Sequence, residues 1–133
     1  MLWGDEPRVR RQVRRSHRFH GSSYGGWRIC PDLIPDQGIV YSAGVGEDIS
    51  FDRSIIEAYG VQVFAFDPTP RSIEWVADQD VPEEFTFLPY GLADYDGTAE
   101  FSPPDNPAHV SHSMITGKDG TIQVEVRRLS TLM

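Results

Sequence analysis

The sequence predicts an α/β domain: three parallel strands in the order 3-2-1, joined by crossover helices and followed by a C-terminal antiparallel hairpin. Three observations carry this reading. Runs of β-branched and aromatic residues alternate with helix-periodic runs between residues 38 and 92. The segments joining them are short, the pattern expected of parallel strands linked by helices. After residue 94 the chain turns to alternating residues around Asp96-Gly97 and Asp119-Gly120, which signal antiparallel turns. Right-handed crossovers make the successive parallel strands neighbours.

In chain order, residues 1–20 read as a basic arm with a short helix, because Val9 and Val13 stand four apart among arginines. Gly21 to Ile29 read as a flexible or tightly turned segment, with Trp27 and Ile29 as anchors, and open the domain proper, residues 21–133. Gly38 to Ala43, "GIVYSA", is the first strand. A helix follows at about Ile49 to Tyr59, with Phe51, Ile55, Ile56 and Tyr59 on one face and Gly60 as its stop. Val61 to Phe66 is the second strand, ended by Asp67 and Pro68. Thr69 as N-cap and Pro70 at the first helical position open a second helix through Ile73, Trp75 and Val76. Glu84 to Leu92 is the third strand, and the hairpin strands fall at about 98–102 and 121–127. Between them "DNPAHVSHSM" is a polar loop, and no element is predicted beyond the hairpin.

A chain of 133 residues suits one domain with a real core. Its composition, 39% hydrophobic and 24% charged, is that of an ordinary soluble domain. No apolar run reaches the roughly 18 residues of a membrane span, and the single Cys30 forms no intrachain disulfide, so a cytoplasmic protein is expected. Residues 1–20 carry six arginines against Asp5 and Glu6, leaving an excess of four positive charges; the remaining residues hold an excess of twelve negative ones. The arm reads either as a solvated leader or as a contact for an anionic surface. The acidic body repels a phosphate backbone, so nucleic acid is not the expected partner.

The stretch "VYSAGVGEDISFD", Val40 to Asp52, places Gly44 and Gly46 between a strand and a helix. In a parallel α/β unit this loop faces the edge where ligands bind. A dinucleotide fingerprint needs a third small residue where this chain has Ile49, and Glu47 and Asp48 set negative charge where a pyrophosphate would lie. No Gly-Lys-Ser/Thr follows, which excludes a Walker loop. Asp67, 21 residues past Gly46 at the end of the second strand, is placed to accept the hydroxyls of a ribose, or else to cap a turn before Pro68. A ribose-bearing cofactor with a cationic head and no phosphate, S-adenosylmethionine, fits that pattern.

These residues also resemble a known family. "YGGWRICPDLIPDQGIVYSAGVGEDISFD", "VFAFDPTPRS", "LPYGLADYDGTAEF" and "HVSHSM" are similar, in order and spacing, to the FkbM-type S-adenosylmethionine-dependent methyltransferases over about Tyr24 to Leu132. The resemblance implies a minimal class I, Rossmann-like methyltransferase fold. It implies that Ser42, Ala43, Gly44, Val45, Gly46, Glu47 and Asp48 wrap the methionine end of the cofactor. Asp67 would bind the ribose, Pro68 and Thr69 would flank the adenosine, and Gly91, Leu92, Ala93 and Asp94 would lie near the adenine. The family continues beyond "VEVRRLSTLM" into a further strand, so the chain is expected to be a fragment, or a minimal version completed by association into a homodimer or higher oligomer.

For a hydroxyl acceptor such as a sugar, His109 and His112 are the candidate bases, and Ser111, Ser113 and Tyr24 the candidate acceptor contacts. Each has a bland alternative as a surface-loop residue. His109 and His112 alone do not make a metal site, and none is expected. Methyl transfer to a small molecule is the first expectation; a non-catalytic module that binds S-adenosylmethionine or S-adenosylhomocysteine is the alternative.

Overall fold

The computed structural model describes residues 13–102 and 120–133. They form a mixed α/β structure whose frame is a three-stranded parallel sheet of β3 (Ile39–Ala43), β4 (Gln62–Phe66) and β5 (Phe85–Leu88), with β4 central. Tyr41 stands opposite Phe64, which stands opposite Thr86. α1 (Ser50–Tyr59) joins β3 to β4, and α2 (Pro70–Ala77) joins β4 to β5. Gly60 ends α1 with the left-handed φ of 61° that favours glycine. Pro70 opens α2 behind Thr69 at the N-cap.

Strand alternation divides the sheet into two faces. Val63, Ala65 and Phe85 join Ile55 and Ile56 of α1 and Val76 of α2 in the main apolar cluster, with Val40 and Phe87 packed against it. On the other face Tyr41 lies 6.0 Å from Phe64 and 6.2 Å from Phe66, centroid to centroid. Ile39 on that face is 59% exposed. Among the described residues β3 has a hydrogen-bonded neighbour on one side only.

Two smaller sheets complete the architecture. β1 (Arg18–His20) pairs antiparallel with β2 (Trp27–Ile29). β6 (Gly91–Leu92), β7 (Gly97–Phe101) and β8 (Ile122–Arg127) form a sheet with β8 central, antiparallel to β7 and parallel to β6. Its core is a separate cluster of Ala99, Val124 and Val126. The hairpin of β7 and β8 is as the alternation predicts.

The helix expected at the start of the basic arm falls on residues 1–12, which lie outside the described residues; Val13 to His17 are irregular and Arg18–His20 are a strand. Three expectations are corrected. Glu84 to Leu92 is not one strand, because Pro89 lacks a backbone N–H and the chain turns there, Tyr90 N donating to Leu88 O at 2.8 Å. Residues Phe85–Leu88 stay in the parallel sheet and Gly91–Leu92 pass to the second one. Trp27 is no core anchor, being 69% exposed, whereas Ile29 does pack against the main cluster. A short helix, α3 (Leu129–Leu132), follows the hairpin; Asp96 Oδ1 accepts its N-cap N–H from Arg128 at 2.7 Å and Asp96 Oδ2 accepts the Thr131 hydroxyl at 2.8 Å. Among the described residues no helix is long and apolar enough to cross a membrane.

The main cluster should dominate stability. Ile55, 3% exposed between helix and sheet, tests it. Ile55→Ala should cost about 2–5 kcal/mol in urea unfolding. A loss below about 1 kcal/mol would place the core elsewhere.

Candidate functional site

The carboxyl ends of β3 and β4 open into a cleft of about 700 Å³. After β3 the chain reverses through Gly44 and Gly46, whose φ values of 82° and 58° are left-handed. A Cβ on Gly44 would meet nothing within 4 Å, so this glycine answers the backbone angle rather than a lack of space. Gly44 N donates to Phe66 O at 2.9 Å, carrying the loop alongside the end of β4, and Val45 is buried beneath it.

Asp67 closes this end of the sheet. Its Oδ2 accepts Gly46 N at 2.9 Å, and its Oδ1 accepts Thr69 N at 3.0 Å and the Thr69 hydroxyl at 2.6 Å. One carboxylate thus ties the loop after β3 to the start of α2. A carboxylate offers about four acceptor positions, so with these bonds made roughly one remains for a ligand. The two sequence readings of Asp67, turn cap and ribose acceptor, are therefore compatible.

The opposite wall is the turn between β1 and β2. Ser22 Oγ accepts Gly25 N at 2.9 Å and donates to Asp48 Oδ2, while Ser22 N donates to Ser50 Oγ at 2.7 Å. Asp48 Oδ1 accepts Ser50 N at 2.8 Å. Burial pushes the Asp48 carboxyl up, but hydrogen bonds from Ser22, Ser50 and Gly25 outweigh it and hold the group below its ordinary value. Gly25 permits this contact: a Cβ there would lie 2.6 Å from Asp48 Oδ2. His20 fastens the same hairpin to α1, with Nδ1 2.8 Å from Ser54 Oγ and Nε2 3.0 Å from the Tyr59 hydroxyl.

Asp52 lines the same cleft from the first turn of α1 and is 3% exposed. Burial raises its carboxyl above the ordinary value, partly opposed by a hydrogen bond from Ser42, with nearby Asp48 adding to the rise. Its Oδ1 has no hydrogen-bond partner. Three aspartates, Asp48, Asp52 and Asp67, line the cleft together with Tyr24, Trp27, Phe51, Phe66, Tyr90 and Phe101, and among the described residues no lysine, arginine or histidine does.

Of the residues expected from the sequence, Ser42, Ala43, Gly44, Val45, Gly46, Asp48, Asp67, Pro68, Thr69, Gly91, Leu92 and Tyr24 come together in the cleft. Glu47 does not: it points outward into a bidentate pair with Arg71, at 2.9 and 2.7 Å. Ala93 packs instead against the second cluster, and the Asp94 carbonyl accepts Arg128 Nε at 2.7 Å. His109, Ser111, His112 and Ser113 lie outside the described residues. Asp52 escaped the sequence reading although a signal was present. It lies three, four and seven residues before Ile55, Ile56 and Tyr59, an aspartate on the apolar face of a helix.

Compared with known proteins, the chain matches no family model, no curated protein and no solved structure.

Burial that raises an acid's pKa makes the native state hold the proton longer than the unfolded one, so the group's contribution to stability falls as pH rises past the carboxylate range. Asp52→Asn removes that loss. Relative to wild type without ligand, the variant should therefore gain stability between pH 4 and pH 8, by about 1–3 kcal/mol in urea unfolding. A difference that does not change with pH would show Asp52 to be unperturbed.

Proposed function

We propose that the chain binds S-adenosylmethionine in this cleft and transfers its methyl group to a small, hydroxyl-bearing acceptor. In this reading the parallel sheet is the core of a Rossmann-like methyltransferase fold, as the sequence resemblance implies. The observation that carries it is the charge of the cleft: three aspartates and, among the described residues, no cation at the carboxyl end of β3 and β4. S-adenosylmethionine brings two cationic centres, a sulfonium and an ammonium, against one carboxylate. A nucleotide phosphate finds no counter-charge there, and the N–H of Ser50, at the start of α1, already serves Asp48.

The remaining acceptor position of Asp67 suits a ribose hydroxyl, and the aromatic residues around the cleft offer flat apolar surface to an adenine. In the reaction the acceptor oxygen attacks the methyl carbon and the carbon–sulfur bond breaks. The sulfonium becomes a neutral thioether, and the acceptor proton leaves to solvent or to a base. Alignment of the two reactants supplies most of what such an in-line displacement needs. The apolar edge of β3 suits self-association of the chain.

Calorimetric titration tests the reading. S-adenosylmethionine and S-adenosylhomocysteine should bind, whereas ATP, which shares their adenosine but carries phosphates, should not. Asp67→Ala should weaken the binding by about tenfold or more. Release of S-adenosylhomocysteine in the presence of a hydroxyl acceptor marks turnover. Equal affinity for ATP, or no binding of S-adenosylmethionine at millimolar concentration, would defeat the reading. In parallel, light scattering should return a mass above that of one chain, and a monomer would refute the association.

A further inference from the structure

Among the described residues, Asp52 Oδ1 is the buried side-chain oxygen with no hydrogen-bond partner. Folded proteins seldom leave such a group unmet, because the bonds it surrenders to water are not replaced. Asp52, 3% exposed, lines the cleft with Ser42, whose hydroxyl serves one part of the carboxylate. Among the described residues nothing cationic reaches the rest. Arg53, next on α1, reaches the Asp80 carbonyl, and Arg71 is engaged by Glu47. The nearby charge is that of Asp48, which is negative and accepts from Ser22 and Ser50.

The missing partner must therefore be a donor and should be positive. Among the described residues no group of three or more metal-ligating side chains gathers to hold a metal ion. A sulfonium has no hydrogen to donate, and ribose hydroxyls are met by Asp67 at the other end of the glycine loop. An ammonium meets both requirements. The terminal torsion of an aspartate is broad and nearly two-fold, so either oxygen can be turned to a ligand without leaving a favoured rotamer.

We propose that Asp52 binds the primary ammonium of the ligand's amino-acid end, so that the cleft takes an adenosyl compound bearing an amine rather than adenosine thioethers in general. This rests on the S-adenosylmethionine reading of the cleft. The ammonium replaces the absent protein cation, and its charge-assisted hydrogen bond favours the ionised carboxylate. Asp52 thereby sets which adenosyl compounds are held and which are passed over.

The test uses the full chain and ligands without a sulfonium: S-adenosylhomocysteine, its decarboxylated form, which keeps the amine, and methylthioadenosine, which has neither amine nor carboxylate. In wild type the decarboxylated form should bind about 10- to 100-fold more tightly than methylthioadenosine. In Asp52→Asn that advantage should shrink to about threefold or less, with methylthioadenosine affinity unchanged. An amine that gains nothing in wild type overturns the proposal without recourse to any variant, as does an advantage that survives the substitution. Failure of all these compounds to bind wild type would overturn the cofactor reading itself, a distinct result from binding that ignores the amine.

Discussion

The loops leaving β3 and β4 meet at one carboxylate, and the shape of the cleft follows from that meeting. Asp67 holds Gly46 with one oxygen and Thr69 with the other, while the Thr69 hydroxyl also contacts Ser72 at 2.8 Å. With Asp67 6% exposed, these bonds are made in a low-dielectric surrounding where a charged acceptor is worth more than in water. The left-handed turn at Gly44 and Gly46, the seat of Val45 and the start of α2 are all set by the same anchor. A ligand hydroxyl that used its remaining lone pair would be read by a group already fixed in place.

The second wall is built by a different economy of groups. Ser22 and Asp48 join a turn to the start of a helix through short polar side chains, with glycines where any Cβ would collide. Gly26 shows how tight the turn is, since a Cβ there would come within 2.4 Å of Ser22 O. Aromatic rings then project from this rigid turn, Tyr24 being 76% exposed beside Trp27. The cleft is thus acidic at its floor and aromatic at its rim.

Much of the frame was legible because its punctuation is chemical. Gly60 and Pro70 mark a helix end and a helix start that few other residues serve as well. The apolar run of β4 stands out because a central parallel strand has little polar surface to show, and those of β3 and β5 through their β-branched and aromatic residues. Other features were not legible. Pro89 interrupts an apolar run whose two halves look alike, and only tertiary pairing sends Gly91–Leu92 to the second sheet. Trp27 reads as a core residue because hydropathy reports what a side chain prefers and not which side of a turn it leaves by. Glu47 and Asp48 are adjacent carboxylates in the sequence, yet Arg71 claims one and Ser22 the other, and the position of Arg71 is known only once α2 is folded. Asp52 was hidden by its helix, where a polar residue on an apolar face is easily taken for noise.

The two apolar clusters have a bearing on cooperativity. Between them the chain passes through Gly91, where a Cβ would lie 3.0 Å from Val126 Cγ1 and 3.3 Å from Pro68 Cγ, so the halves touch closely there. The cleft lies across this junction, lined by β3 and β4 on one side and by Tyr90, Leu92 and Phe101 on the other. Separate apolar clusters are the arrangement in which one part of a fold opens at a cost below that of global unfolding. A molecule seated across the junction would add its binding energy there and tie the opening of one cluster to that of the other.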